Sequence, residues 1–186
     1  MPALWERIEI WLQQNAKHLI PALNPPVSQA AIDELEQAID AKLPTDFVEF
    51  LRIHNGQKYD SEGLMNTEEL LSAERILDEW KVWKKLLDDG IFEYPSSPDK
   101  GVKSDWWNPK WIPITYDGHG NHLCLDLDPA NGGRYGQIIH MWHDSAEREC
   151  IAFSFKEWIN TYVTDLEKGN YIYSEGWAGL IHKDDL

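Results

Sequence analysis

Cysteine is scarce in this chain. There are two in 186 residues, Cys124 and Cys150, and no CxxC spacing. That gives no basis for a disulfide framework, and both fall in expected strands, where a small buried apolar residue fits. Basic residues are also few. Lys and Arg total 17 against 32 Asp and Glu, a net charge of −15. Such a field repels phosphate backbones and anionic lipid, so direct nucleic-acid or membrane-surface binding is not expected. A basic partner or a cation suits it better. No apolar run reaches the roughly 18 residues a membrane helix needs. The opening MPALWERIEIWLQQ carries Glu6 and Glu9 within its apolar pattern, unlike a secretory signal. A cytoplasmic location is the expectation. HExxH is missing, and no Gly-Lys-Ser/Thr follows the glycines of DGHGN, so neither a zincin nor a phosphate-binding loop is indicated.

Aromatic residues are plentiful. Ten Trp and an aromatic fraction of 12% belong to a folded chain with a substantial core. Trp is enriched at binding surfaces as well as in cores, so the count alone assigns no role. The length fits a single domain, taken here as residues 1–186, with a core at about 27–168, an N-terminal helix over 3–20 and a tail at 170–186.

Leu4, Ile8, Trp11, Leu12 and Leu19 follow helical spacing, and Pro21 with Asn24-Pro25-Pro26 closes that helix. Ser28 reads as an N-cap, with Val27 and Ile32 as a hydrophobic staple. A third helix begins at Leu43-Pro44, and Asn55-Gly56 reads as its stop. Leu64-Met65 suggests a short strand. Thr67 reads as the cap of the next helix, with Glu68 and Glu69 in its first turn and Asp88-Asp89-Gly90 at its end. Residues 91–110 form a long irregular segment, and such loops are often functional. Trp106 and Trp107 either cover the core or stand out as anchors. The run from Trp111 to Asp144 alternates apolar segments (WIPIT, HLCLDLD, QIIHMW) with turn-rich DGHGN and PANGGRYG. It reads as an antiparallel meander, with a fourth strand at Cys150–Phe153. Ser154 and Glu157 form a capping box, Phe153 and Trp158 a staple, and Trp158, Tyr162 and Leu166 the buried stripe of a last helix. The order of helices, strands and a helix gives an α+β fold, with an antiparallel or mixed sheet of about four to six strands flanked by helices.

His119, His122, His140 and His143 lie near Asp117, Asp126 and Asp144 in the meander. Imidazole and carboxylate could hold zinc or manganese in a metal-dependent hydrolase. Strand alternation argues against this. Leu123, Leu125 and Leu127 should face the core, with His122, Cys124, Asp126 and Asp128 turned away, and His140 and His143 have opposite parity. Asp117 and Asn121 are expected to hold the DGHGN turn through their side chains. Cys124 has no basic neighbour in sequence to activate it, and His54-Asn55-Gly56 is explained as a helix stop rather than a nuclease pair. Trp111, Trp142 and Trp158 read as core. No catalytic set, metal or cofactor is expected.

LPTDFVEFLRIHNGQ at 43–57 resembles the LP-x-x-F…FL…NG signature of the SUKH superfamily of the Smi/Knr cell-wall assembly regulator type. WIPITYDGHGNHLCLDLDP, GQIIHMWHD and the closing FKEWI resemble its strand block and last helix, in the same order. The resemblance covers about residues 27–168. It implies a SUKH-like α+β fold and a protein-binding role without catalysis. Bacterial members of that family resemble immunity proteins that neutralise a cognate toxin, often a nuclease. Fungal members act as cell-wall regulators through protein contacts. The immunity reading, with a basic toxin domain as partner, is favoured by the acidic charge, and the regulator or scaffold reading stands second. The expected contact set is Asp105, Trp106, Trp107, Asp117, His119, Asp128, Asp144 and Glu147.

Overall fold

A mixed five-stranded sheet lies between two layers in the computed structural model, which describes residues 1–92 and 94–186. Among the described residues there are five α-helices: α1 (Pro2–Asn15), α2 (Gln29–Ile39), α3 (Thr45–Leu51), α4 (Ala73–Asp88) and α5 (Phe155–Glu167). A 3-10 turn over Lys17–Ala22 continues α1 after a break at Ala16, shortening the helix expected over 3–20. The strands are β1 (Glu69–Leu70), β2 (Ser97–Pro98), β3 (Trp111–Pro113), β4 (Thr115–Tyr116), β5 (His122–Asp126), β6 (Gln137–Met141), β7 (Glu147–Ala152), β8 (Tyr171–Ser174) and β9 (Gly179–His182).

The sheet order is β2-β7-β6-β5-β3. β3, β5, β6 and β7 are the expected antiparallel meander, and β2 adds a short parallel edge to β7. The WIPIT run divides at Ile114, after which β4 leaves the sheet to pair with β1. The tail forms the β8–β9 hairpin and buries Leu180 against the body.

α5 covers one face of the sheet. Ser154 caps it by accepting from the Glu157 amide at 3.1 Å, while the Glu157 carboxylate accepts from the Phe153 amide at 2.9 Å. Each such cap is worth about 1 kcal/mol. Phe155, Ile159, Val163 and Leu166 are buried beneath it. α1 packs beside α5, tied by a bidentate Arg7–Glu167 pair, and Trp5 stacks on Phe50 of α3 with ring centroids 4.5 Å apart. α4 and the 94–110 segment cover the other face.

Several expectations change. The Phe153–Trp158 staple does not form: Phe153 is 47% exposed and lies under the Arg134 guanidinium, and Phe155 packs on Trp158 instead. Trp142 is not core; it is half-buried and stacked on His140. Leu64 and Met65 form no strand; Met65 makes only an isolated bridge to Glu68. α4 does not start at Thr67. Its cap is Ser72, which accepts from the Arg75 amide at 3.3 Å, and Glu69–Leu70 pair with Tyr116 and Thr115. Ladder pairing to β4 and burial of Leu70 and Leu71 outweigh the local helix-start pattern.

Gly56 is not the cap of α3, which ends at Leu51 with Arg52 beside it. Its φ is +62°, and a Cβ there would sit 2.5 Å from the Leu70 carbonyl oxygen, so glycine permits a close backbone crossing. Asn55 and Gln57 beside it fix that crossing. The Asn55 Oδ1 accepts from the Ala73 amide at the start of α4, and its Nδ2 donates to Glu74. Gln57 is buried, accepts from the amides of Leu64 and Leu70, and donates to Ser61 and the Glu62 carbonyl.

The alternation expected for β5 also fails. His122, Cys124 and Asp126 are fully buried, and Leu123 is only half-buried. Both faces of this central strand are covered, so neither needs to be polar-outward.

Candidate functional site

A cleft of about 580 Å³ opens between the C-terminal half of α4, residues 91, 92, 94 and 106, and the β4–β5 turn. Val82 and Leu86 come from α4, Ile91, Phe92, Tyr94 and Trp106 from the segment, and Gly118–Gly120 with His143 from the opposite rim. Val82, Ile91 and Tyr94 are 55%, 59% and 73% exposed. Large apolar side chains gathered this openly around one concavity make it the candidate recognition surface. Trp83 forms the floor, stacked on Phe92 at 5.7 Å and on Trp107 at 6.3 Å.

Beneath that floor the ionisable side chains His122, Asp126 and Arg148 are bonded within the protein. The Trp83 indole N–H donates to His122 Nε2 at 3.1 Å, which makes Nε2 the acceptor. His122 Nδ1 therefore carries the proton and donates to the Thr115 carbonyl at 2.7 Å. Burial lowers the His122 pKa and keeps the ring neutral. With both nitrogens engaged, His122 is not free to ligate a metal. Burial raises Asp126, whose oxygens accept from the Asp128 amide and Gln137 Nε2. Burial also pushes the Cys124 thiol far up, so it is no nucleophile. Arg148 is fully buried and, among the described residues, has no carboxylate partner. Its guanidinium donates to the carbonyls of Trp106 and Ser145 and lies 5.2 Å from the Trp106 ring centre, and burial pushes its pKa down to about 10. It stays cationic at neutral pH and ties the 94–110 segment to β7.

The eight residues chosen from the sequence divide among four places. Trp106 and exposed His119 line the cleft. Asp117 supports its rim, accepting from the amides of His119 and Asn121 and from Asn121 Nδ2 at 2.6–3.0 Å. Burial works to raise Asp117, but these bonds outweigh it and hold the carboxyl below its ordinary range. Asn121 also accepts from the His143 amide, so the two turn residues brace the hairpin as expected. Trp107 is buried at 2% exposure and cannot reach a partner. Asp105 and Asp128 meet elsewhere, both accepting from Asn108, with Lys103 paired to Asp128. Asp144 and Glu147 are exposed at the start of the β7 arm, Asp144 at 3.7 Å from His143. Among the described residues no three His, Cys, Asp or Glu side chains converge to hold a metal. Of the segment 91–110, residue 93 lies outside the described residues.

Sequence reasoning missed Trp83, Phe92 and Tyr94. The signal was present: three large apolar residues at 91, 92 and 94 stand in a loop, where no core stripe explains them.

The model of the SMI1 / KNR4 family (SUKH-1) matches residues 26–161, from before α2 into α5. A Schizosaccharomyces pombe protein described as a cell wall biosynthesis/cell cycle regulator is 28% identical over 186 residues, covering 92% of this chain and 37% of that protein. A Neurospora crassa glucan synthesis regulatory protein is 26% identical, covering 92% of this chain and 39% of its own length. The Saccharomyces cerevisiae cell wall assembly regulator is 24% identical, at 97% and 44%. The chain spans less than half the length of these relatives. No helix among the described residues is long and apolar enough to cross a membrane.

Proposed function

The chain belongs to the SMI1/KNR4 family (SUKH-1), and we propose that it is a non-enzymatic protein-binding module of the cell-wall assembly regulator type. Its partner offers apolar anchors to the cleft floored by Trp83 and basic residues to a chain that is acidic as a whole. The observation that carries this is the open apolar cleft, exposed at Val82 on α4 and at Ile91 and Tyr94, in a chain of net charge −15. Apolar anchors supply affinity, and complementary charge supplies rate and selectivity. The regulator reading has better support than the immunity reading, because the relatives matched are fungal regulators and only the acidic charge favours a basic toxin.

The test is a chimera in which this chain replaces the matching segment of the S. pombe relative. The reading expects the chimera to restore regulator function to cells lacking the relative, and expects Ile91→Asp with Val82→Asp to abolish that while leaving the fold intact. A folded, expressed chimera without function, or one indifferent to the cleft substitutions, contradicts it.

A further inference from the structure

The other face of the sheet holds a second cavity, of about 270 Å³, between α5, β5–β7, β8 and the turn before β1. It shares no lining residue with the cleft. Among the described residues five buried side-chain atoms lack a hydrogen-bond partner, and the two that belong to titratable groups, Glu68 Oε2 and His140 Nε2, both belong to residues lining this cavity. The other three, Ser96 Oγ and the indole nitrogens of Trp107 and Trp111, are neutral and lie elsewhere. A buried polar atom left without a partner costs about 1–3 kcal/mol, more if charged.

Glu68 is placed here by constrained backbone. Met65 and Glu68 exchange backbone hydrogen bonds at 3.1 Å across a two-residue turn, with Asn66 at φ +53° and Thr67 at φ +68°. Left-handed geometry is unfavourable for a β-branched residue. It is held by the Thr67 amide donating to the Leu180 carbonyl at 2.6 Å, and by Asn66 bonding Asp185 and the His182 amide. Strain maintained by its surroundings is characteristic of functional positions. The cavity walls carry Glu68 and Asp165 but no Lys or Arg. Trp158, Tyr162 and Tyr171 supply aromatic surface, and Met65 and Ile151 apolar surface.

We propose that this cavity binds an organic cation, an ammonium or guanidinium group on a short apolar stem, with Glu68 as its counter-ion and the ring faces of the walls around the stem. A cation at Glu68 gains a charge-assisted bond, and aromatic faces attract it further. A metal ion is not the occupant suggested, because no three ligating side chains converge among the described residues. Two sources share the chemistry: a free alkylamine, or a Lys or Arg side chain of a partner. The site is independent of the cleft and of the regulator reading.

The charged and titratable groups around Glu68 are Asp117 and Cys124 from the β4–β5 hairpin, His140 from β6, Asp165 from α5 and Tyr171 from β8, with Thr115 hydrogen-bonded to it. Burial, opposed by the Thr115 bond and assisted by Asp117, pushes the Glu68 carboxyl up to about 7. A cation prefers the ionised carboxylate, so affinity should fall about tenfold from pH 8 to pH 6.

The experiment titrates the full chain by calorimetry at both pH values with n-butylamine, agmatine and N-acetyl-lysine methylamide. Binding at pH 8, weakened about tenfold or more by Glu68→Gln and unchanged by the exposed Glu175→Gln, is the expected result. Butylamine or agmatine binding without the lysine amide assigns a free amine, and the reverse assigns a partner side chain. If Glu68→Gln does not fold, Asp165→Asn should weaken binding several-fold. No binding of any probe at pH 8, or binding indifferent to both substitutions, overturns the proposal.

Discussion

The two faces of the five-stranded sheet treat buried ionisable groups in opposite ways. On the α4 face, His122, Asp126 and Arg148 are buried and each is bonded by neighbouring protein groups, while the cleft above them is apolar. On the α5 face, Glu68 and His140 keep buried atoms without partners at the wall of a cavity. A satisfied buried network fixes a fold, whereas an unsatisfied one lowers stability unless something else completes it. The α4 face thus carries an apolar cleft above bonded charged groups, the arrangement that the proposed protein-binding role uses. The α5 cavity has the polar incompleteness expected of a small-ligand site.

Four substitutions probe that contrast. The largest effect belongs to Arg148→Ala, which leaves the Trp106 and Ser145 carbonyls without a donor and detaches the 94–110 segment. Chemical denaturation should show a loss of about 3–5 kcal/mol. A loss under 1 kcal/mol would mean that the α4 face is not held by this network.

Glu68→Gln should act with the opposite sign. The folded carboxyl titrates near 7 against an unfolded value of 4.5. The folded state therefore binds the extra proton between those values, and wild-type stability falls as pH rises from about 4.5 to about 7, then levels off. The variant escapes this and should exceed wild type by roughly 2–3 kcal/mol at pH 8 and by little at pH 4.5. Equal gains at both pH values would disprove the titration.

Trp83→Phe keeps an aromatic ring, smaller than the indole, and removes the donor to His122. About 1–2 kcal/mol should be lost in thermal or urea unfolding, and the His122 ring should become free to exchange tautomers by NMR. The smallest effect on stability is expected from Ile91→Asp, an exposed rim residue, at within about 0.5 kcal/mol. Its effect should appear only in partner binding, and a large destabilisation would show that the rim is structural.

Much of this fold could be read along the chain. The meander, the caps at Ser28 and Ser154, the turn held by Asp117 and Asn121, and the family motif order all depend on short-range pattern, which sequence displays directly. The missed features are long-range. Thr67-Glu68-Glu69 has the local grammar of a helix start, and only the pairing of β1 with β4 and the contacts of Thr67 and Asn66 with the tail turn it into a tight hairpin. The alternation of β5 misled for a related reason. It assumes one wet face, and here the 94–110 segment and α4 dry the second, burying His122, Cys124 and Asp126. The NGQ motif was legible as important but not for its reason, since Gly56 serves a backbone crossing with residues fourteen and fifteen positions later.

The contrast between the faces is tested most directly by following side-chain carboxyl resonances with pH, assigned through Glu68→Gln and Asp117→Asn. The account expects Glu68 to titrate near 7 and Asp117, held by its turn, below the ordinary carboxylate range. Glu68 titrating with the exposed glutamates would contradict it, because the carboxyl would then be neither enclosed nor waiting for a partner.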